Sequence, residues 1–400
     1  MWQSALFLLA SWAIQPAIGL QQEPLAEISA NKKHLLLGDD LIAFHKNLTQ
    51  IESITYHEQE AGKWLAKSLS SQGYTVEKQY IDDDSGRFNV FAYLGKKRET
   101  DILVSSHYDT VPPFYPYYHK NKTIGGRGSV DDKASLAAQL IAVNTLITTK
   151  KLHANDISLL FVVGEETGGD GMRLANDLHL TPKTIVFGEP TEAKLVAGHK
   201  GNDALTIKAK GKAAHSGYPW LGRSANEVLV AALAAVIELG PHLPRSEKYG
   251  ATTVNIGKIE GGVAGNVVAE SAAATIAIRI AAGDADEVER EITKAVHMAV
   301  RSFLEEGMRP EDVVELQFSA RGYGPIDIDA DVPGFDVMTV NYGTDIPWLK
   351  KTVGGQKRYL YGPGSIMVAH SDHEALTEEE LFGAVEDYQK IILHAFKAGQ

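Results

Sequence analysis

The 400-residue chain contains no cysteine. Disulfides, thiolate metal ligands and a cysteine nucleophile are therefore excluded. Any metal would have to be held by imidazole and carboxylate groups. The chain also lacks a basic run and any interleaving of basic with aromatic residues. With a net charge of −12, it offers no footprint for nucleic acid. Beyond the N-terminus no apolar stretch is long enough to cross a bilayer, and no membrane partner is expected. Internal repeats and low-complexity tracts are absent as well. What remains is ordinary globular composition, 44% hydrophobic and 22% charged, sufficient for two domains with their own cores.

The first 20 residues carry no charged side chain. The apolar run Ala5 to Ile14 is too short to span a membrane, Pro16 interrupts it, and Ala17 and Gly19 follow at the spacing of a cleavage site. Residues 1–20 are expected to be a signal peptide and the mature chain to be secreted to the extracellular space. Asn47-Leu-Thr and Asn121-Lys-Thr are glycosylation sequons that acquire meaning only in that setting.

Two rhythms follow. A helix is predicted over 56–73, with strands at 74–80, 88–94 and 101–106. An Ala- and Leu-rich helix then spans Lys133 to Ile147, and strands begin at Ile157 and Thr184. This alternation predicts a sheet with parallel strands and helices on both faces. From about Gly201 the order becomes strand, helix, strand, strand, helix, strand. The helices are placed at Ala225–Leu239 and Ala285–Glu306, the ferredoxin-like α+β order of a small inserted lid. The catalytic domain is thus expected over 21–199 and 320–400, and the inserted lid or dimerisation domain over 200–319. Thr377 and Glu380 read as the capping box of a last helix, from about Thr377 to Ala398.

Chemistry concentrates at strand ends. The apolar run Ile157-Ser-Leu-Leu-Phe-Val-Val-Gly164 ends in the adjacent glutamates Glu165 and Glu166. Two carboxylates that repel each other and lose water are tolerable beside a strong positive charge, and a divalent cation is the usual one. His107-Tyr-Asp109 and Glu189-Pro190 also end strands, where open α/β sheets gather their sites. Gly126-Arg-Gly-Ser-Val-Asp131-Asp132-Lys133 precedes a helix. Either aspartate could cap that helix while the other ligates. Ala369-His370-Ser-Asp-His373-Glu374 lies near the C-terminus, and its spacing does not choose between the two histidines. The donor count suits two metals sharing a carboxylate. Gly126-x-Gly128 is too little for a nucleotide loop.

In this order, these segments resemble the metallopeptidase family twenty, which includes acetylornithine deacetylase, succinyl-diaminopimelate desuccinylase, aminoacylase and glutamate carboxypeptidase. The similarity covers nearly the whole mature chain. It implies the di-zinc exopeptidase-type sheet with its inserted lid, and two Zn²⁺ per subunit, for which Co²⁺ or Mn²⁺ can substitute. It implies His107, Asp131 (bridging), Glu166, Glu189 and His370 as ligands, Glu165 as general base, Asp109 as the orienter of His107, and a cis peptide after Asp131. The family's glycine after the lysine is Ala134 here. In the insert, Gly211-Lys-Ala-Ala-His215-Ser-Gly-Tyr-Pro resembles the segment whose histidine polarises the scissile carbonyl, reaching the site from a partner subunit or after lid closure. Asn266 and Arg279 resemble the pair that holds the substrate carboxylate. Arg279 interrupts an apolar strand, which a bidentate carboxylate contact explains as well as a structural ion pair does.

The expected activity is amide hydrolysis by a secreted carboxypeptidase releasing C-terminal residues from peptides. The alternative is an aminoacylase or N-acyl amino acid deacylase. A non-catalytic metal-binding protein would be expected to have lost a ligand or the base, and none is lost. An aminopeptidase would put an acidic residue where the substrate's amine sits, and Arg279 argues against that. A homodimer through the inserted domain is a further implication of the resemblance.

Overall fold

A computed structural model describes residues 40–398. The signal peptide expected at 1–20 lies outside the described residues. The larger unit is built on a six-stranded sheet. Four of its strands, Ile157–Val162, Ile102–His107, Thr184–Gly188 and Lys357–Tyr361, run parallel, and Thr75–Tyr80 and Phe88–Tyr93 add an antiparallel edge. The first three of these parallel strands are buried throughout, which is why they read as largely apolar runs. Along Ile157–Val162, Leu159 and Phe161 join the core beneath the long helices, while Leu160 and Val162 join the core on the opposite face. Helix Lys133–Thr148 is apolar all round because it is covered by the sheet on one side and by helix Glu378–Ala398 on the other. The last helix opens as expected: Glu380 Oε2 accepts from the Thr377 amide at 2.7 Å, and Thr377 Oγ1 accepts from the Glu380 amide at 3.2 Å.

The second unit is a four-stranded antiparallel sheet in the order Thr253–Gly261, Ser271–Ile280, Gly201–Lys210, Val314–Phe318. Its core lies between this sheet and the helices Ala225–Leu239 and Ala285–Ala299. Even-numbered residues from Ala272 to Ile280 face those helices and odd-numbered ones face away, the period of two that a half-covered strand requires.

Three expectations change. The helix predicted to reach Glu306 ends at Ala299 and tightens into a 3₁₀ turn over Val300–Phe303. Gly307 at φ 85° and Pro310 then preclude its extension. The tail beyond Ala320 is not only loop and helix, because Lys357–Tyr361 completes the main sheet. Asp132 stands at the N-cap of the Lys133 helix, but its side chain makes no capping hydrogen bond. It is turned instead toward Ser106, Ser135 and the bare Cα of Gly188.

Candidate metal centre and active site

His107 is the last residue of its strand, and Glu165, Glu166 and Glu189 follow the ends of the two neighbouring parallel strands. Parallel pairing therefore delivers the imidazole and three carboxylates to one edge. The loop before helix Lys133–Thr148 adds Asp131, and a turn near the C-terminus adds His370, held in the left-handed region at φ 64°. The Asp131–Asp132 peptide is cis.

Asp131 lies between the two histidines. Its Oδ1 is 3.0 Å from His107 Nε2 and its Oδ2 is 3.2 Å from His370 Nε2. His370 Nε2 is also 3.0 Å from Glu166 Oε2. The donor atoms of His107, Asp131 and Glu166 lie within 4.8 Å of one another, as do those of His107, Glu165 and Glu189. His373 is elsewhere: it is exposed and pairs with Asp372. Asp109 has two jobs. Its Oδ1 sits 3.5 Å from His107 Nδ1, whose closer contact is the Asp109 carbonyl oxygen at 3.0 Å. The same carboxylate accepts from the Glu165 amide at 3.1 Å, the Glu166 amide at 3.3 Å and Thr55 Oγ1 at 2.8 Å. It therefore anchors the turn carrying both glutamates as well as facing the imidazole.

Further buried groups brace the site. Glu374 Oε1 accepts from the amides of Val130 (2.9 Å) and Asp131 (3.2 Å), and its Oε2 accepts from Arg127 Nη1 at 2.6 Å. The C-terminal turn that carries His370 is thereby tied to the loop that carries Asp131. Lys133 Nζ donates to the carbonyls of Leu48 and Ile51. Burial pulls its pKa down to about 7.

The electrostatics describe an overcrowded anionic cavity. Burial, then the charge of Asp131, raises Glu166 to about 6. Burial together with Asp345, Glu166 and Asp131 pushes Glu165 well above the usual carboxylate range. Glu189 is raised in the same way, by burial and then by Glu165 and Asp131. Hydrogen bonds to Asp131 and Glu166 raise His370 to about 10. Only Asp131 and Asp109 are held low: burial opposes this, but hydrogen bonds with His107, and for Asp131 also with His370, overcome it. Glu166 Oε1 is buried without a hydrogen-bond partner among the described residues. Such a set of mutually repelling acids, with an orphaned oxygen and two imidazoles, fits divalent cations as its missing partner.

One acid here is not singled out by the sequence. Asp345 is buried, its Oδ1 has no hydrogen-bond partner among the described residues, and burial with the nearby charges of Asp109 and Glu166 raises it to about 7. It follows the short strand Val337–Val340, which the sequence does not announce, and belongs to no ordered motif; Gly343-Thr-Asp345 before a short turn gives no signal beyond loop chemistry. His199, also missed, is buried with Nε2 at 3.1 Å from Thr344 Oγ1.

The insert's candidates stand apart. His215 is exposed, and its contacts are Gly217, Tyr218 and Val267, all in its own unit. Asn266 is exposed as well, and its carbonyl accepts from the Ser216 amide. Arg279 is half-buried and its Nη1 donates to Asn202 Oδ1 at 2.8 Å. Among the described residues none of the three touches the metal-site cluster.

Known proteins give this arrangement its class. Residues 197–301 match a peptidase dimerisation domain, and residues 89–184, which contain the His107, Asp131 and Glu165–Glu166 segments, match peptidase family M28. The chain is 46% identical over 397 residues to a protein of Arthroderma otae named "Probable carboxypeptidase", covering 90% of this chain and 87% of that protein. It is 45% identical to a similarly named protein of Aspergillus niger, covering 98% of this chain and 97% of that one. Its fold is similar to that of the M20 family metallo-carboxypeptidase Sso-CP2 from Sulfolobus solfataricus, with TM-score 0.69 at 16% identity, covering 89% of this chain and 99% of that one. It is also similar to the di-peptidase Dug1p from Saccharomyces cerevisiae, with TM-score 0.73 at 13% identity over 93% of this chain and 99% of the other. The chain belongs to the M20 metallopeptidase family and is a metallo-carboxypeptidase-like hydrolase.

Proposed function

We propose that this enzyme is a zinc-dependent, secreted carboxypeptidase that cleaves the last amide bond of a peptide. The observation that carries the reading is Asp131, one carboxylate facing His107 with one oxygen and His370 with the other. His107, Asp131 and Glu189 would hold one cation, and Asp131, Glu166 and His370 the second. When bound, such a pair lowers the pKa of water and polarises a carbonyl.

The chain's own groups supply the rest. Glu165, raised by burial and by its acidic neighbours, takes a proton from the attacking water and returns it to the leaving amine, a task suited to a carboxyl tuned upward. Asp109 fixes the backbone of Glu165 and Glu166. His215 polarises the scissile carbonyl once its exposed loop is brought to a catalytic centre, by closure of the smaller unit or from a second copy. The exposed Val230, Ile237, Ile259 and Val263 of that unit favour a homodimer through it. Arg279 and Asn266 take the substrate's terminal carboxylate. Relatives named "Probable carboxypeptidase" favour this over the deacylase alternative.

Zinc-loaded enzyme should cleave an N-blocked dipeptide with a free C-terminus much faster than an N-acetyl amino acid; the reverse preference would make it a deacylase. Elemental analysis should find about two zincs per chain. Secretion fits the exposure of both sequon asparagines, Asn47 and Asn121. Sequencing the N-terminus of protein collected from medium tests it, with removal of residues 1–20 expected.

A further inference from the structure

Arg279, Asn202 and Tyr323 form one row across three adjacent segments. Arg279 is the register partner of Asn202. Asn202 in turn exchanges both backbone hydrogen bonds with Tyr323, each 3.0 Å. Directly opposed residues of antiparallel segments project to the same side. The three side chains therefore stand together on the face turned away from the smaller unit's helices. Tyr323 lies where the chain returns from that unit, and its ring is fixed edge-on between His199 at 6.2 Å and Trp348 at 5.4 Å.

The ring is held, but its hydroxyl makes no hydrogen bond among the described residues. A packing role would need only the ring. Opposite it stands Gly343. A Cβ built there would lie 2.7 Å from the Tyr323 hydroxyl and 3.8 Å from Arg279 Nη1. The bare glycine thus lets the phenol approach its backbone closely, with the guanidinium beside the same point. The phenol also lies within the fields of Glu165 and Asp345, so the phenol and guanidinium stand beside the acidic cluster.

A substrate carboxylate is repelled by Asp131, Glu165, Glu166, Glu189 and Asp345. It needs donors set back from them. One Arg279 N–H is already engaged by Asn202, and a carboxylate has about four lone-pair sites to fill. A phenol that donates and carries no charge supplies what the guanidinium leaves unmet.

We propose that Tyr323 is a substrate-binding residue whose hydroxyl, with the Arg279 guanidinium, takes the terminal carboxylate of the peptide. This rests on the carboxypeptidase reading above. The test compares an N-blocked dipeptide carrying a free C-terminal carboxylate with its C-terminal amide, using zinc-loaded enzyme. The parent enzyme should prefer the acid. Tyr323→Phe should lower kcat/KM for the acid about 10–100-fold, chiefly through KM, and leave the amide unchanged. Gly343→Ala, whose methyl would collide with the phenol hydroxyl and push it aside, should shift the same ratio in the same direction. Zinc content and melting temperature of Tyr323→Phe should match the parent. If the parent prefers the acid and Tyr323→Phe keeps that preference, the assignment is wrong while the carboxypeptidase reading stands. An equal fall in kcat on both substrates would put the hydroxyl at the reacting carbonyl and overturn the assignment too. A destabilised Tyr323→Phe would reveal a structural partner for the hydroxyl and would likewise overturn it. A parent enzyme indifferent to acid and amide overturns both readings together.

Discussion

The two units of this enzyme hold their chemistry in opposite ways. In the larger one, His107, Glu165 and Glu189 are packed at the ends of parallel strands beside Asp131 from the loop before helix Lys133–Thr148, and Asp131 and Glu189 are only 5% exposed. In the smaller one, His215 and Asn266 stand on exposed loops and contact nothing of the acidic cluster. Burial makes the first set costly unless cations neutralise it, and so fixes its geometry before substrate arrives. Exposure leaves the second set free to be delivered by closure or by another copy, a gating role rather than a preassembled one. On the proposed function, preorganised electrostatics would sit on the sheet and recognition on the smaller unit.

The largest effect should come from the buried set. Glu165→Gln is expected to cut kcat by about 10²–10⁴-fold, the usual reach of general base catalysis, while zinc content stays at the parent level. Near-normal turnover would strip Glu165 of its role. If zinc were lost as well, Glu165 would be a ligand, as its grouping with His107 and Glu189 also allows.

Next comes the brace beneath the ligands. Glu374 and Arg127 are each about 1% exposed as side chains, and Glu374 also receives the Val130 and Asp131 amides. Glu374→Ala would leave a buried guanidinium and two amides unpaired. The expected loss is about 3–5 kcal/mol of unfolding free energy, read by denaturant titration, together with weakened zinc binding. Loss of zinc without loss of stability would show that the two loops hold their positions without this link.

His215→Ala should behave differently on both counts. Removing a donor to the developing oxyanion costs about 10²–10³-fold in kcat. The imidazole is exposed, so melting temperature and zinc content should not move. A variant that loses stability in step with activity would place His215 among the buried, structural residues and erase the contrast between the units.

What the amino-acid order revealed follows the same division. The main sheet and the strand ends were legible because buried parallel strands must be apolar and their terminal acids then stand out against them. The insert's strands and its first helix were legible from clean periods of two and of 3.6, as at Ser271–Ile280 and Ala225–Leu239. Strand Lys357–Tyr361 was not, because its tyrosines and Arg358 disguise a mostly buried strand at the edge of the sheet. Arg358 is buried only because its guanidinium reaches the carbonyls of Ile346 and Leu349. Resemblance singled out His370 over His373, since a spacing of three says nothing about which ring turns inward. Asp345, His199 and Tyr323 stayed hidden for a related reason. Each is brought to the site by the chain's passage into or return from the insert, a tertiary event with no local pattern.

The smallest expected effect sharpens the comparison through pH. In the metal-free enzyme the folded value of Glu166 lies at about 6, above the 4.5 of a free glutamate. Between those values the folded chain holds more protons than the unfolded one, so this contribution to stability is complete below pH 4.5 and disappears as pH rises through 6. Asp345, raised from 3.8 to about 7, extends the window upward. For Glu166 alone the swing is about 2 kcal/mol. Bound cations take the place of those protons and should remove it. The stabilisation conferred by zinc, measured as the gap in melting temperature between loaded and chelator-stripped enzyme, should therefore widen by several degrees from pH 5 to pH 7. Any background from His45 and His199, both pulled down to about 4 by burial, is common to the two forms and cancels in the gap. Glu166→Gln should flatten this trend, whereas His215→Ala should leave it intact, because protons and cations compete only inside the buried unit. A gap that stays constant with pH in the parent enzyme would mean that the acidic cluster is not where zinc binds.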